Sequence, residues 1–179
     1  MPSDDWLKRA RDQWTWRGGT RPEFALEPGA GQESVWDYPR PPALVADPRE
    51  VVVQHRGIEI ARSHATIRLL ETSHPPTFYI PRADVRDDQL VRVAGASFCE
   101  WKGPCSYYDV AGLARAAWSY DEPFPEAEVI RGCVAFYATE LECFVAGERA
   151  RPQRGGFYGG WITSELVGPF KGDSGTSGW

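Results

Sequence analysis

The chain is poor in lysine, with three among 179 residues against seventeen arginines, and it holds one methionine and three histidines. It has no long apolar run. The longest, Cys133 to Ala138, falls far short of the roughly 20 residues needed to span a bilayer. The opening residues Pro2 to Trp6 carry acids where an export signal needs a basic and then an apolar stretch. The expectation is a soluble, cytoplasmic protein with reduced thiols and no membrane partner. Four cysteines, Cys99, Cys105, Cys133 and Cys143, form no CxxC pair, and a zinc site built from Cys99, Cys105 and His74 would need a ligand spacing that zinc proteins do not use. No metal and no cofactor is therefore expected. Asp-x-Asp pairs are also missing, and Gly168-Pro169-Phe170-Lys171-Gly172 lacks the spacing of a phosphate-cradling loop.

What is present points to short strands and tight turns. Glycine and proline number 18 and 15, eight residues are tryptophan, and 42% of the chain is hydrophobic. That composition excludes a coiled coil, a collagen and a helical bundle, and it is too apolar for disorder. The length suits one domain with a real core. The net charge of −5 disfavours a polyanion-binding surface. Two basic flanks stand out, Trp6–Arg21 with a net +4 and Arg149–Trp161 with a net +3. The second mixes arginine, glycine and aromatics without repeating the unit, so a packed loop is the better reading than a nucleic-acid binder.

Ser3 followed by Asp4 and Asp5, with Lys8, Arg9 and Arg11 further on, predicts a short capped helix from Ser3 to about Gln13. Residues from there to Pro42 lack a helical period and should run extended. Val51–His55 and Ile58–Ala61 flank Arg56-Gly57, a hairpin signature. Strands follow at Ala65–Leu70, Thr77–Ile80, Val91–Val93, Ser97–Trp101, Ser106–Val110, Leu113–Tyr120, Arg131–Thr139 and Leu141–Val145, with a return at Glu148–Arg151 after Ala146-Gly147. Arg82–Leu90 is the one other helical turn, and the Gly-rich end Gly172–Trp179 reads as loosely held. The division expected is an N-terminal helix and arm (1–32), a β domain (33–150) and a C-terminal Gly-rich arm (151–179). Short strands at this spacing mean an all-β sandwich or open barrel.

Several strings resemble one bacterial family, domain of unknown function 427. They are Glu33-Ser34-Val35-Trp36-Asp37-Tyr38-Pro39-Arg40-Pro41-Pro42, Glu71-Thr72-Ser73-His74-Pro75-Pro76, Cys99-Glu100-Trp101-Lys102-Gly103, Ser106-Tyr107-Tyr108, Ala117-Trp118-Ser119-Tyr120 and Val134-Ala135-Phe136-Tyr137. The flanks Trp14–Gln32 and Arg151–Gly172 resemble those of longer actinobacterial members. The resemblance implies a mainly β, β-tent-like fold: two packed antiparallel sheets, here with a short N-terminal helix and extended flanking segments. Many proteins of that fold pin it with zinc on two CxxC pairs, which this sequence does not have. The family also carries a nucleotidyltransferase label, but the carboxylates and Gly-rich loop that such chemistry needs are missing.

Three strings carry candidate chemistry. In Cys99-Glu100-Trp101-Lys102-Gly103, strand alternation would put Cys99 and Trp101 on one face and Glu100 and Lys102 on the other. Lys102 is a candidate anion ligand or base, or a partner in a cross-sheet salt bridge, and it is expected to face a cavity with Glu71 or Tyr107 in hydrogen-bonding range. Cys99 is a candidate nucleophile or a small buried hydrophobe. Glu71 is a candidate base or an orienter of His74, or else a turn cap. The candidate catalytic residues are thus Glu71, Lys102 and Cys99, and the candidate ligand-binding residues His74, Tyr79, Tyr107 and Trp118. They suit a pocket for a small anionic metabolite such as a nucleotide, with or without a reaction. The alternative is a non-catalytic module that binds a peptide or partner in the same pocket. The oligomeric state is not readable from these residues.

Overall fold

The computed structural model describes residues 2–179. Helix α1 (Asp4–Asp12) is capped by the Ser3 side chain, which accepts from the Trp6 N–H, and it ends at Gln13 as its charge pattern predicts. No helix of the described residues is long and apolar enough to cross a membrane.

The strands are β1 (Glu33–Ser34), β2 (Ala43–Asp47), β3 (Val51–His55), β4 (Ile58–Ser63), β5 (Thr66–Leu70), β6 (Thr77–Tyr79), β7 (Leu90–Cys99), β8 (Gly103–Val110), β9 (Leu113–Ser119), β10 (Val134–Phe136), β11 (Glu142–Val145), β12 (Glu148–Arg149), β13 (Arg151–Pro152), β14 (Trp161–Ile162) and β15 (Leu166–Val167). One antiparallel sheet has the order β12-β11-β3-β4. A second runs β10-β9-β8-β7, and a third, β2-β5-β6, joins its β10 edge through the Ile80–Val134 bridge. The protein is mainly β, with several antiparallel sheets and no barrel. The turns Arg56-Gly57 and Ala146-Gly147 both have positive φ at each residue, the twist that suits two-residue hairpins.

Alternation along the β6-β10-β9-β8 surface makes both of its faces apolar. Phe78, Val134, Phe136, Ala117, Tyr108 and Val110 turn toward β3, β4 and β11, where they meet Val51, Val53, Ile60, Cys143 and Val145 in the main core. Trp161 closes that core, stacked on Phe78 at 5.1 Å with its indole N–H donating to the Phe136 carbonyl at 2.9 Å. The intervening residues Tyr79, Ala135, Trp118, Tyr107 and Cys105 face the other way and form a second buried cluster. This second face is what positions the candidate site.

Four local expectations are corrected. Val91–Val93 and Ser97–Trp101 are one strand, β7, because a bulge after Val93 with Gly95 at φ +98° absorbs the break without ending the ladder. Its hairpin partner starts at Gly103, so residues 100–102 are a turn and strand alternation does not apply to them. The end of the chain is anchored: the Trp179 ring stacks on Phe24 at 5.1 Å and contacts Trp36. Arg82–Leu90 resolves into two 3₁₀ turns, Arg82–Asp84 and Asp87–Gln89. Strand β2 escaped the sequence reading.

The two flanking segments meet each other. Strands β1 and β15 pair in parallel, and Trp36, fully buried, touches Trp16, Phe24 and Trp179 while donating to the Pro169 carbonyl at 3.0 Å. Removing that side chain leaves a cavity at the junction. Trp36→Ala is expected to lower unfolding stability by about 3–5 kcal/mol in urea titration; a loss below about 1 kcal/mol would mean the arms are not held this way in solution.

Candidate functional site

The second apolar face packs with Leu69, Ile67 and Leu44 of β5 and β2 and with Ala127 and Ile130 of the Pro125–Ile130 turn. The arms close over the rest and leave a cavity of about 240 Å³. Strands β5 to β9 supply its floor, the 100–102 turn one end, and the loop after β5 another. Trp14 from the N-terminal arm and Gln153, Phe157, Tyr158, Gly159 and Lys171 from the C-terminal arm complete the wall. Gly159 has to be glycine for lack of space, since a Cβ there would sit 1.9 Å from the Trp118 ring.

All seven residues singled out from the sequence, Glu71, His74, Tyr79, Cys99, Lys102, Tyr107 and Trp118, line this one cavity. Their partners differ from expectation. Glu71 pairs with Arg40 at 3.1 Å, and Tyr107 exchanges a hydrogen bond with Ser97 at 2.8 Å, so neither is Lys102's partner. Because the chain turns at 100–102, Cys99, Glu100, Trp101 and Lys102 all reach the same cavity. Sequence reasoning missed Trp14, Gln153, Tyr158 and Lys171. Lysine scarcity was the available signal: of Lys8, Lys102 and Lys171, the last two line the cavity.

Arg40 braces the polar wall from behind, through Glu71. Its enclosed guanidinium donates to Glu71, to the Trp16 carbonyl at 3.0 Å and to the Thr72 carbonyl at 2.9 Å, and it lies 4.6 Å over the Trp14 ring. Burial alone would raise Glu71, but His74, Lys102, Arg40 and Lys171 outweigh it and hold the carboxyl below its ordinary value. Burial would likewise lower Lys102; the surrounding Cys99, Tyr79 and Glu71 reverse the sign and push its pKa up. The direction of that shift favours the charged ammonium. Its ammonium sits 5.5 Å from the Tyr120 ring centroid. Lys171 is lowered to about 8, first by burial and then by Arg40. It donates to the Trp179 main-chain oxygen at 2.7 Å and lies 3.8 Å over Trp14.

The Gln153 amide fixes the tautomer of His74. Its Oε1 accepts from the Gly160 N–H at 3.1 Å, and its Nε2 donates to the Lys171 carbonyl at 2.8 Å. Those two partners can only donate and only accept, respectively, so the amide orientation follows from chemistry. The same NH₂ lies 3.0 Å from His74 Nδ1, which must then accept. Burial lowers His74 to about 4, with Lys171, Arg40 and Lys102 adding to it against the pull of Glu71. At neutral pH the ring is uncharged and carries its proton on Nε2.

Among the described residues, no group of three or more His, Cys, Asp and Glu side chains gathers as metal ligands would. Cys105 also lines the cavity, its thiol raised by burial, and Cys143 lies in the main core.

Fold and site together define a mainly β protein with one aromatic-walled cavity roofed by its own arms. The chain belongs to the family described as a domain of unknown function, DUF427, whose model matches residues 43–147. That stretch runs from β2 to the turn after β11 and excludes the arm residues Trp14, Gln153, Tyr158 and Lys171. No protein with a curated description matches the chain.

A histidine that is neutral when folded and free to protonate when unfolded makes stability depend on pH. Between the unfolded value of 6.5 and the folded value of about 4, only the unfolded chain binds the proton, so stability falls as pH drops through that window. Between pH 7 and about pH 5, above the range where the carboxylates titrate, the wild type is expected to lose about 2 kcal/mol and His74→Gln distinctly less. Parallel chemical-denaturation curves check this; identical slopes would show that His74 is not buried neutral.

Proposed function

We propose that the protein binds a small anion in this cavity, as a binding protein and not as an acid–base catalyst. The observation that carries this is the state of its polar groups. Lys102 is a buried lysine whose pKa is pushed up, His74 presents an N–H, and Glu71 is already committed to Arg40. A general acid or base works best with a pKa near the operating pH. Glu71 lies below its ordinary range, His74 near 4 and Lys102 above its ordinary value, so none of these three is poised there. Lys171, lowered to about 8, comes nearer, but its ammonium is turned onto the Trp179 main-chain oxygen and the Trp14 ring. In this reading Lys102 supplies the charge, His74 a directed donor, and Tyr79, Tyr107 and Trp118 the walls. Cys99 completes the floor beside Lys102.

Differential scanning fluorimetry tests the reading with adenosine monophosphate, inorganic phosphate and benzoate as probes. A ligand at about 100 times its Kd adds about 2.7 kcal/mol, which for a chain of this size raises Tm by roughly 5–10 °C. At least one of the three is expected to give a saturable rise that Lys102→Met abolishes. The variant itself should fold, since exchanging a buried charge for an apolar chain of similar shape is often near neutral. No shift with any of the three, or shifts that survive Lys102→Met, would contradict anion binding here.

A further inference from the structure

The cavity suits one class of anion better than others, and we infer that its ligand is an aromatic monocarboxylate: one flat ring bearing a single carboxylate that rests on Lys102. This rests on the anion-binding reading above and narrows it.

Size is the first constraint. The cavity holds about 240 Å³. That is below the roughly 300–1,000 Å³ of sites for drug-sized molecules. A benzoate-sized molecule fits such a space, whereas a nucleoside monophosphate would have to extend out through its mouth.

Charge is the second. Two buried lysines, Lys102 and Lys171, line the cavity, and Arg40 stands behind its Glu71. Arg40 is held by Glu71 and two carbonyls, and Lys171 by the Trp179 oxygen. Among the described residues, Lys102 bonds to no carboxylate or carbonyl; the Cys99 thiol is its hydrogen-bonding neighbour, and the Tyr120 ring lies 5.5 Å from its ammonium. An ammonium has three donors, so it can still meet one negative charge. A phosphate monoester brings close to two, and it would lie near the carboxylates of Glu71 and Glu100, the latter fixed by the Trp14 indole N–H at 2.9 Å. Phosphate sites normally offer arginine forks or a run of backbone N–H groups. Among the described residues, no arginine lines this cavity, and Arg40 behind it is already used by Glu71 and two carbonyls.

The walls are the third. Tyr79, Trp118, Tyr120 and Tyr137 present ring faces and edges, with Trp118 and Tyr137 4.4 Å apart between centroids. Such surfaces hold a flat ring by stacked and edge-on contacts. The locked N–H of His74 then asks for an acceptor, which a carboxylate oxygen or a ring substituent provides.

Isothermal titration of the full-length protein with benzoate, benzyl alcohol, adenosine monophosphate and inorganic phosphate separates the possibilities. Benzoate should bind at least tenfold more tightly than each of the other three, and Lys102→Met should remove at least tenfold of that affinity. Benzyl alcohol equal to benzoate would overturn the proposal by showing that charge is not read. Adenosine monophosphate or phosphate binding as tightly as benzoate would overturn it while leaving anion binding intact. Failure of every anion would overturn both. Should Lys102→Met not fold, the wild-type ratio of benzoate to benzyl alcohol decides alone.

Discussion

A sheet that is apolar on both faces cannot stand with one of them bare, and most of this architecture follows from that constraint. The β3-β4-β11 side covers one face of the β6-β10-β9-β8 surface with aliphatic side chains. The opposite face carries Tyr79, Tyr107, Trp118 and Ala135. An uncovered patch of that size would invite association. Residues of β2 and β5 and the Pro125–Ile130 turn pack against part of it, and the chain's own flanks close over the remaining aromatics incompletely and so leave the cavity.

Covering a sheet with irregular backbone creates its own cost, because loops bring polar groups that need partners. The buried polar side chains answer that need. Arg40 ties the Trp16 carbonyl of the N-terminal arm to Glu71 and Thr72 after β5. Gln153 ties Gly160 and Lys171 of the C-terminal arm to His74. A third junction, Arg68 and Arg49 with Glu33, Asp47 and Glu165, sits where β1 and β15 meet the β2-β5 pair. Each cluster uses a long planar or forked side chain to satisfy several carbonyls or carboxylates at once. The same charges that hold the arms set the protonation states inside the cavity, so structural bracing and site chemistry cannot be altered separately.

The sequence made local features plain where one interaction decides them. Ser3 with its trailing acids marks the helix start, and Arg56-Gly57 marks the hairpin. Seven residues chosen for their chemistry come together around a single cavity, and a turn, not strand alternation, brings Lys102 and Glu100 to it. What stayed hidden depends on contacts between distant segments. Glu33–Ser34 is too short to show a period, and only its pairing with Leu166–Val167 makes it a strand. Trp14 and Lys171 read as flank residues until the fold places one over the other. Gln153 has no local signature, because its importance lies in three partners from three separate stretches.

The central claim is that the arms complete the cavity, and the hydrogen bond from Gln153 to His74 is its most specific consequence. Long-range ¹H–¹⁵N correlation spectra of the three histidine rings, with His74 assigned by its loss in His74→Gln, report which nitrogen carries the proton. The account predicts a neutral ring protonated at Nε2, with an unprotonated Nδ1, held down to about pH 5. A ring protonated at Nδ1, or an imidazolium already formed at about pH 6, would contradict it.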